Sequence, residues 1–250
     1  MDKKKHIVIV GATSAIAEHC ARLWTSGTAV AMTLVGRDAA RTERVAADLR
    51  VRSPQSEIRV VTSGFIDAAA IAATVDRIAA AGPVDVVLIA HGSLPEQQQC
   101  ERDLAASREA LEVNGLSPVL FSEAFAAHLA RQNKGTLAII GSVAGDRGRK
   151  SNYVYGAAKG LVDRYAQGLQ HRFAPTGVKV VLIKPGPTDT PMTAALKNRG
   201  AKLASVEDVA RQIVDAVARG QAVAYVPGKW RLIMWVIRNM PAVVFNKLNI

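Results

Sequence analysis

Apolar residues gather in seven short runs, at positions 7–10, 29–35, 58–61, 84–90, 136–141, 178–184 and 222–226. The longer stretches between them carry apolar positions at helical spacing. A run without polar alternation has both faces covered, which implies parallel strands between two helical layers, joined by right-handed crossovers. The pattern predicts a single-domain, doubly wound α/β fold of about seven parallel strands with helices on both faces. It breaks at Pro227-Gly228. Residues 1–227 therefore read as the sheet domain, and residues 228–250 as a basic apolar tail that either belongs to it or lies at an interface. Sheets of this kind bind ligands beyond the carboxyl ends of their strands.

The first strand is followed by Gly11-Ala12-Thr13-Ser14-Ala15-Ile16-Ala17 and a helical stretch. Gly11 permits a tight turn. The helix start then offers free N–H groups and the positive end of its dipole to a phosphate, with hydroxyls from Thr13 and Ser14 beside them. The second strand ends in Gly36-Arg37-Asp38. Where a dinucleotide's adenosine ribose would lie, an arginine suits a 2′-phosphate, so Arg37 favours NADP(H) over NAD(H), while Asp38 reads as the cap of the next helix.

Tyr155 and Lys159 are four residues apart at the start of an apparent helix and share a face. A phenol of pKa near 10 becomes a usable acid–base at neutral pH when an ammonium stabilises its phenolate. Ser142 ends the fifth strand, thirteen residues earlier, and can hydrogen-bond the same substrate oxygen. Asn114 is placed to kink its helix and hold a water relaying protons to Lys159.

The turn at Gly11, Asn114, Ser142, Tyr155-x-x-x-Lys159 and Pro185-Gly186-Pro187-Thr188-Asp189-Thr190 resemble, in order and spacing, the short-chain dehydrogenase/reductase family over residues 6 to about 226. The resemblance implies a Rossmann sheet and oxidoreduction of an alcohol or carbonyl. It implies Tyr155 as acid/base, Lys159 as the group that lowers its pKa and holds the nicotinamide ribose, Ser142 as carbonyl anchor and Asn114 in a proton relay. Gly11, Thr13, Ser14, Ala15, Ile16, Arg37, Ala90, Gly92, Pro185, Gly186, Thr188 and Thr190 would contact the cofactor, with no metal. A homo-oligomer is expected from the family alone. Three departures stand out: Ala15 and Ala17 replace two turn glycines, Ala90-His91-Gly92 replaces Asn-Ala-Gly, and Thr62-Ser63-Gly64-Phe65 lacks the usual acid after the third strand. Residues 143–149, 153–156, and the tail from Trp230-Arg231 through Arg238, Pro241, Phe245, Lys247-Leu248 and Ile250 are similar to the decaprenylphosphoryl 2-keto-ribose reductases. Under that resemblance Arg147 and Arg149 would meet a substrate phosphate.

The net charge of +11 favours anionic partners, but the basic residues are scattered, with Lys3–Lys5 the only run of three, so no nucleic-acid partner is predicted. Cys20 and Cys100, read as lying in a helix and a loop, share no metal or redox spacing, which fits a reduced, cytoplasmic protein. The amino terminus lacks a signal-peptide pattern, and no run reaches a membrane span. The tail joins apolar and aromatic residues to Lys229, Arg231, Arg238 and Lys247 without an acid. It suits either peripheral contact with the inner membrane face or packing on the core or a second subunit. Three functions remain open: a reductase of a lipid-linked keto-sugar, a soluble ketoreductase of acyl, steroid or small carbonyl substrates, and a non-catalytic dinucleotide sensor or scaffold.

Overall fold

A computed structural model describes residues 4–248; Lys3 of the basic run and Ile250 of the tail lie outside the described residues. Strands β1 (Lys5–Val10), β2 (Val30–Gly36), β3 (Glu57–Thr62), β4 (Val86–Ile89), β5 (Gly135–Ile140), β6 (Val178–Pro185) and β7 (Val223–Val226) form one sheet in the order β3-β2-β1-β4-β5-β6-β7. Every pairing is parallel. Each apolar run of the sequence supplies one strand, and the central ones are buried throughout their cores because helices cover both faces.

The helices are α1 (Ala15–Gly27), α2 (Ala39–Arg52), α3 (Ala68–Ala80), α4 (Gln97–Arg102), α5 (Leu104–Leu111), α6 (Ser117–Gln132), α7 (Tyr153–Phe173), α8 (Ala194–Asn198), α9 (Val206–Ala218), α10 (Trp230–Asn239) and α11 (Ala242–Phe245). Cys100 lies in α4, not in a loop; Asp103 closes that short helix and caps the next by accepting from Ala105 N–H. One core layer packs α1, α2 and α9 against the sheet through Cys20, Leu49 and Ile213; the other packs α3, α6 and α7 through Val75, Phe121, Phe125 and Leu169. At roughly 25 cal/mol per Å² of apolar surface, these two layers are the main stabilising term.

Strand order reverses between β1 and β4, so the chain leaves these neighbours toward opposite faces and opens a crevice beyond their carboxyl ends. Gly11 sits at its edge with φ +82, and a Cβ there would come within 2.6 Å of the His91 backbone. Glycine is required there on both counts.

Candidate active site

The crevice is a cavity of about 320 Å³ whose lining includes Gly11, Thr13, Ser14, Ala15, Ile16, Arg37, Arg41, Phe65, His91 and Thr190. Ser14 occupies the N-cap of α1 without capping it through its side chain, which leaves the first N–H groups of that helix facing the cavity, at its positive dipole end. Asp38 accepts from Arg41 N–H at 2.9 Å, as expected of a cap. Arg37 and Arg41 line the same end of the cavity, and among the described residues neither forms a carboxylate ion pair. Arg41 escaped the sequence reading although it lies one helical turn beyond Arg37, a spacing that carries the signal.

Phe65 and His91 both line the crevice. They pack edge to face, 4.8 Å between centroids, with the Arg37 guanidinium 5.9 Å from the phenyl centroid. His91 Nε2 shares a hydrogen bond with Ser117 Oγ at 2.8 Å. Burial, with Lys159 and Arg37 adding repulsion, pushes the imidazole pKa down to about 3, so the ring is neutral. Its Nδ1 is buried without a protein partner. An open helix start, two unpaired arginines and an orphaned ring nitrogen fit a phosphorylated dinucleotide.

A second cavity, about 150 Å³, continues from the first through Ser14, Ile16, His91, Gly92, Thr190 and Met192. Ala90, Ser142, Tyr155, Lys159, Pro185, Gly186 and Thr188 all line it, so Ser142, Tyr155, Lys159 and the Pro185-Gly186 turn meet in one place. Ser142 Oγ accepts from Ala144 N–H at 3.1 Å and hydrogen-bonds Tyr155. Burial raises the Tyr155 pKa, and the Ser142 contact works against that rise. The buried Lys159 ammonium lies 5.8 Å from the Tyr155 ring centroid and donates to the Ile140 carbonyl at 3.0 Å. Desolvation pushes its pKa down to about 8, partly opposed by Asp163.

Asn114 does not line either cavity. It sits in a π-helical turn, Glu112–Leu116, between α5 and α6, so the expected kink is present. Its Oδ1 accepts from Ser93 N–H at 2.8 Å, and its Nδ2 donates to the Ala110 carbonyl at 2.9 Å. Gly92 lies against it: a Cβ there would be 2.9 Å from Asn114 Oδ1 and 3.8 Å from Lys159 Nζ. Asn114 therefore fixes the loop that floors the cavity beneath Lys159.

Behind the trio, Lys184 of β6 is buried between Asp146 and Asp163, 2.7 Å from Asp163 Oδ2, and Tyr225 of β7 donates to Asp146 at 2.8 Å. Burial holds the Asp163 pKa up near 6 despite Lys184. Sequence reasoning missed this cluster, because its members come from the loop after β5, from α7, β6 and β7, and meet only when these elements pack together.

The two loop arginines part company. Arg147, expected to face substrate, turns to the tail instead: it donates to the carbonyls of Ile237 and Met240, both at 2.6 Å, and stacks 3.8 Å from the Phe245 centroid. The end of α10 has open carbonyls, and a guanidinium satisfies them with favourable charge. Arg149 remains in the catalytic cavity, its buried Nε without a partner, beside the equally unpartnered Asn152 Oδ1.

A dinucleotide crevice at the switch point of a parallel sheet, continuous with a Ser–Tyr–Lys cavity, defines a nicotinamide-dependent oxidoreductase. The short-chain dehydrogenase family model matches residues 5–200, and the chain belongs to that family as an NAD(P)-dependent short-chain oxidoreductase. An uncharacterized oxidoreductase of Streptomyces coelicolor is 33% identical over 98% of this chain and 96% of its own length. Another, from Mycobacterium tuberculosis, is 30% identical over 97% and 96%. Among solved structures, a short-chain dehydrogenase from Sphingobium yanoikuyae in complex with NADPH superposes with TM-score 0.81 at 20% identity, covering 95% of this chain and 97% of that one. One from Burkholderia cenocepacia with NADP gives 0.83 at 18%, covering 99% and 98%.

Proposed function

We propose that the protein is an NADPH-dependent carbonyl reductase whose substrate ketone binds between Ser142 and Tyr155. The observation that carries this reading is the convergence of Ser142, Tyr155 and Lys159 on a cavity continuous with the dinucleotide crevice. When bound, the reduced nicotinamide supplies the hydride. Ser142 Oγ is held by Ala144 N–H and lies against Tyr155, and its rotatable hydroxyl turns to donate to a ketone oxygen placed between the two. Tyr155 delivers the proton to that oxygen, and the Lys159 ammonium stabilises the phenolate left behind. Pro185, Gly186, Thr188 and Thr190 close the nicotinamide end of the cavity.

The preference for NADPH rests on Arg37 and Arg41, two cations without carboxylate partners placed to clasp a 2′-phosphate. Fluorescence titration tests it: Arg37→Ala and Arg41→Ala each weaken NADPH at least about tenfold, the order of one charge-assisted contact, and leave NADH nearly unchanged. Equal losses for both cofactors would refute it.

The substrate reading is a phosphoryl-bearing ketone, in its fullest form a polyprenylphosphoryl keto-sugar. Arg149 supports it, since a half-buried guanidinium whose Nε has no partner and which forms no ion pair among the described residues favours an incoming anion. Arg149 also borders a pocket lined by Phe245 and Leu248, so an apolar chain has a surface to follow beyond the phosphate. Arg149→Ala should raise KM for a phosphorylated ketone at least tenfold and leave an uncharged ketone unaffected; a parallel rise for both would remove the phosphate from the reading.

A further inference from the structure

Helix α10 is amphipathic in an unusual sense, because it has two apolar faces. Trp230, Met234 and Ile237 face inward: Met234 is buried, and Trp230 lies so closely over Gly186 that a Cβ on that glycine would fall 1.9 Å from the indole nitrogen. At 3.6 residues per turn, Leu232, Trp235 and Val236 point the other way. Leu232 is 69% and Trp235 64% exposed, and Val243 of α11 continues the patch at 74%. Large apolar side chains grouped in this way on a surface mark a contact site.

Charge identifies the occupant. Lys150, Lys229, Arg231, Arg238 and Lys247 surround the patch, all exposed, and among the described residues none is ion-paired with a carboxylate. Elsewhere surface arginines do find acids, as Arg52 finds Asp48 at 2.8 Å and Arg219 finds Asp215 at 2.6 Å. Residues 228–250 contain no acid at all. An identical copy would bring the same cations against these, which opposes self-association through this face. A sheet of anionic headgroups over an apolar interior matches both halves of the pattern, with indole at the boundary and arginines at phosphate depth.

We infer that α10 and α11 form a docking surface for an anionic lipid bilayer, with the chain lying on the membrane and not crossing it. Among the described residues no helix is long and apolar enough to span one. The surface is tied to the active site: Arg147 fastens the end of α10 to the loop after Ser142, and Arg149 borders both the catalytic cavity and the pocket against Phe245 and Leu248. Docking therefore sets the catalytic entrance beside the headgroups. This inference does not depend on the substrate reading.

The test is flotation of the full-length protein with vesicles of phosphatidylcholine alone or mixed equally with phosphatidylglycerol. Partition onto the anionic vesicles should exceed that onto neutral ones at least tenfold and fall as salt rises from 0.1 to 0.5 M, where screening shortens from about 10 Å toward 3 Å. The double variant Leu232→Glu/Trp235→Glu should lose this partition and keep NADPH affinity. A measurement on the unaltered protein stands beside it: tryptophan emission should shift to the blue and be quenched by brominated acyl chains. Absence of partition and quenching in the unaltered protein overturns the inference. So does a double variant that partitions equally, or one whose only change is a smaller sedimenting species, which would make the face a contact between copies.

Discussion

At the residue scale, the site is a compromise between burial and charge. Tyr155→Phe removes the proton donor and leaves the cavity's shape, so kcat should fall by about 10²–10⁴ with NADPH affinity retained; turnover equal to the unaltered enzyme would end the mechanism. Lys159 has a folded-state pKa lowered from 10.5 to about 8, so below pH 8 the protein bears the cost of a buried ammonium that the unfolded chain does not. That fall corresponds to roughly 3–4 kcal/mol at about 1.4 kcal/mol per pH unit. Lys159→Met should accordingly lose activity and raise Tm at pH 7, the gain shrinking as pH rises from 8 to 10.5, in thermal melts across that range. Asp163 has the opposite sign: its folded pKa is raised from 3.8 to about 6, so its contribution to stability falls as pH rises through that window. Tyr155 and Lys159 were legible from their spacing, whereas the Lys184 cluster was not, because a lone lysine in a strand has no local signal.

At the element scale, the catalytic geometry depends on how closely the loop after β5 approaches α7. A Cβ on Gly145 would lie 2.8 Å from the Lys159 backbone carbon and 2.8 Å from Asp163 Oδ2. Backbone cannot yield cheaply, so Gly145→Ala should destabilise by about 1–3 kcal/mol and lower kcat by pushing Ser142 away from Tyr155. Chemical denaturation and steady-state kinetics check the two effects, and a silent substitution would show that the approach is loose. The π turn has a similar role. Its sequence, Glu112-Val113-Asn114-Gly115-Leu116, suggested a kink through Asn114, but the hydrogen bond to Ser93 depends on where the loop after β4 passes. Arg147 shows the same limit: beside Arg149 in sequence, it looked like a substrate ligand, and only the position of α10 reveals it as that helix's C-terminal partner.

At the scale of the whole molecule, the tail is bound into the fold and not merely appended. Ending the chain at Gly228 would uncover Gly186 and leave Arg147 without its two carbonyls. The shortened protein should melt several degrees lower, each kcal/mol being worth about 2–4 °C at this size, and bind NADPH more weakly. The sequence by itself determined the seven-strand parallel sheet, the turn at Gly11 and the shared helical face of Tyr155 and Lys159, because periodicity and spacing within one helix or one turn are local properties, and Ser142 was legible through the order of the family's motifs. Tertiary structure alone decided that Phe65 and His91 floor the crevice, that Lys184 is held by two aspartates, and which face of α10 is left in the open. Each of those is a meeting between residues tens of positions apart or a choice between two faces of one helix. Such choices are made by packing, which no local pattern records.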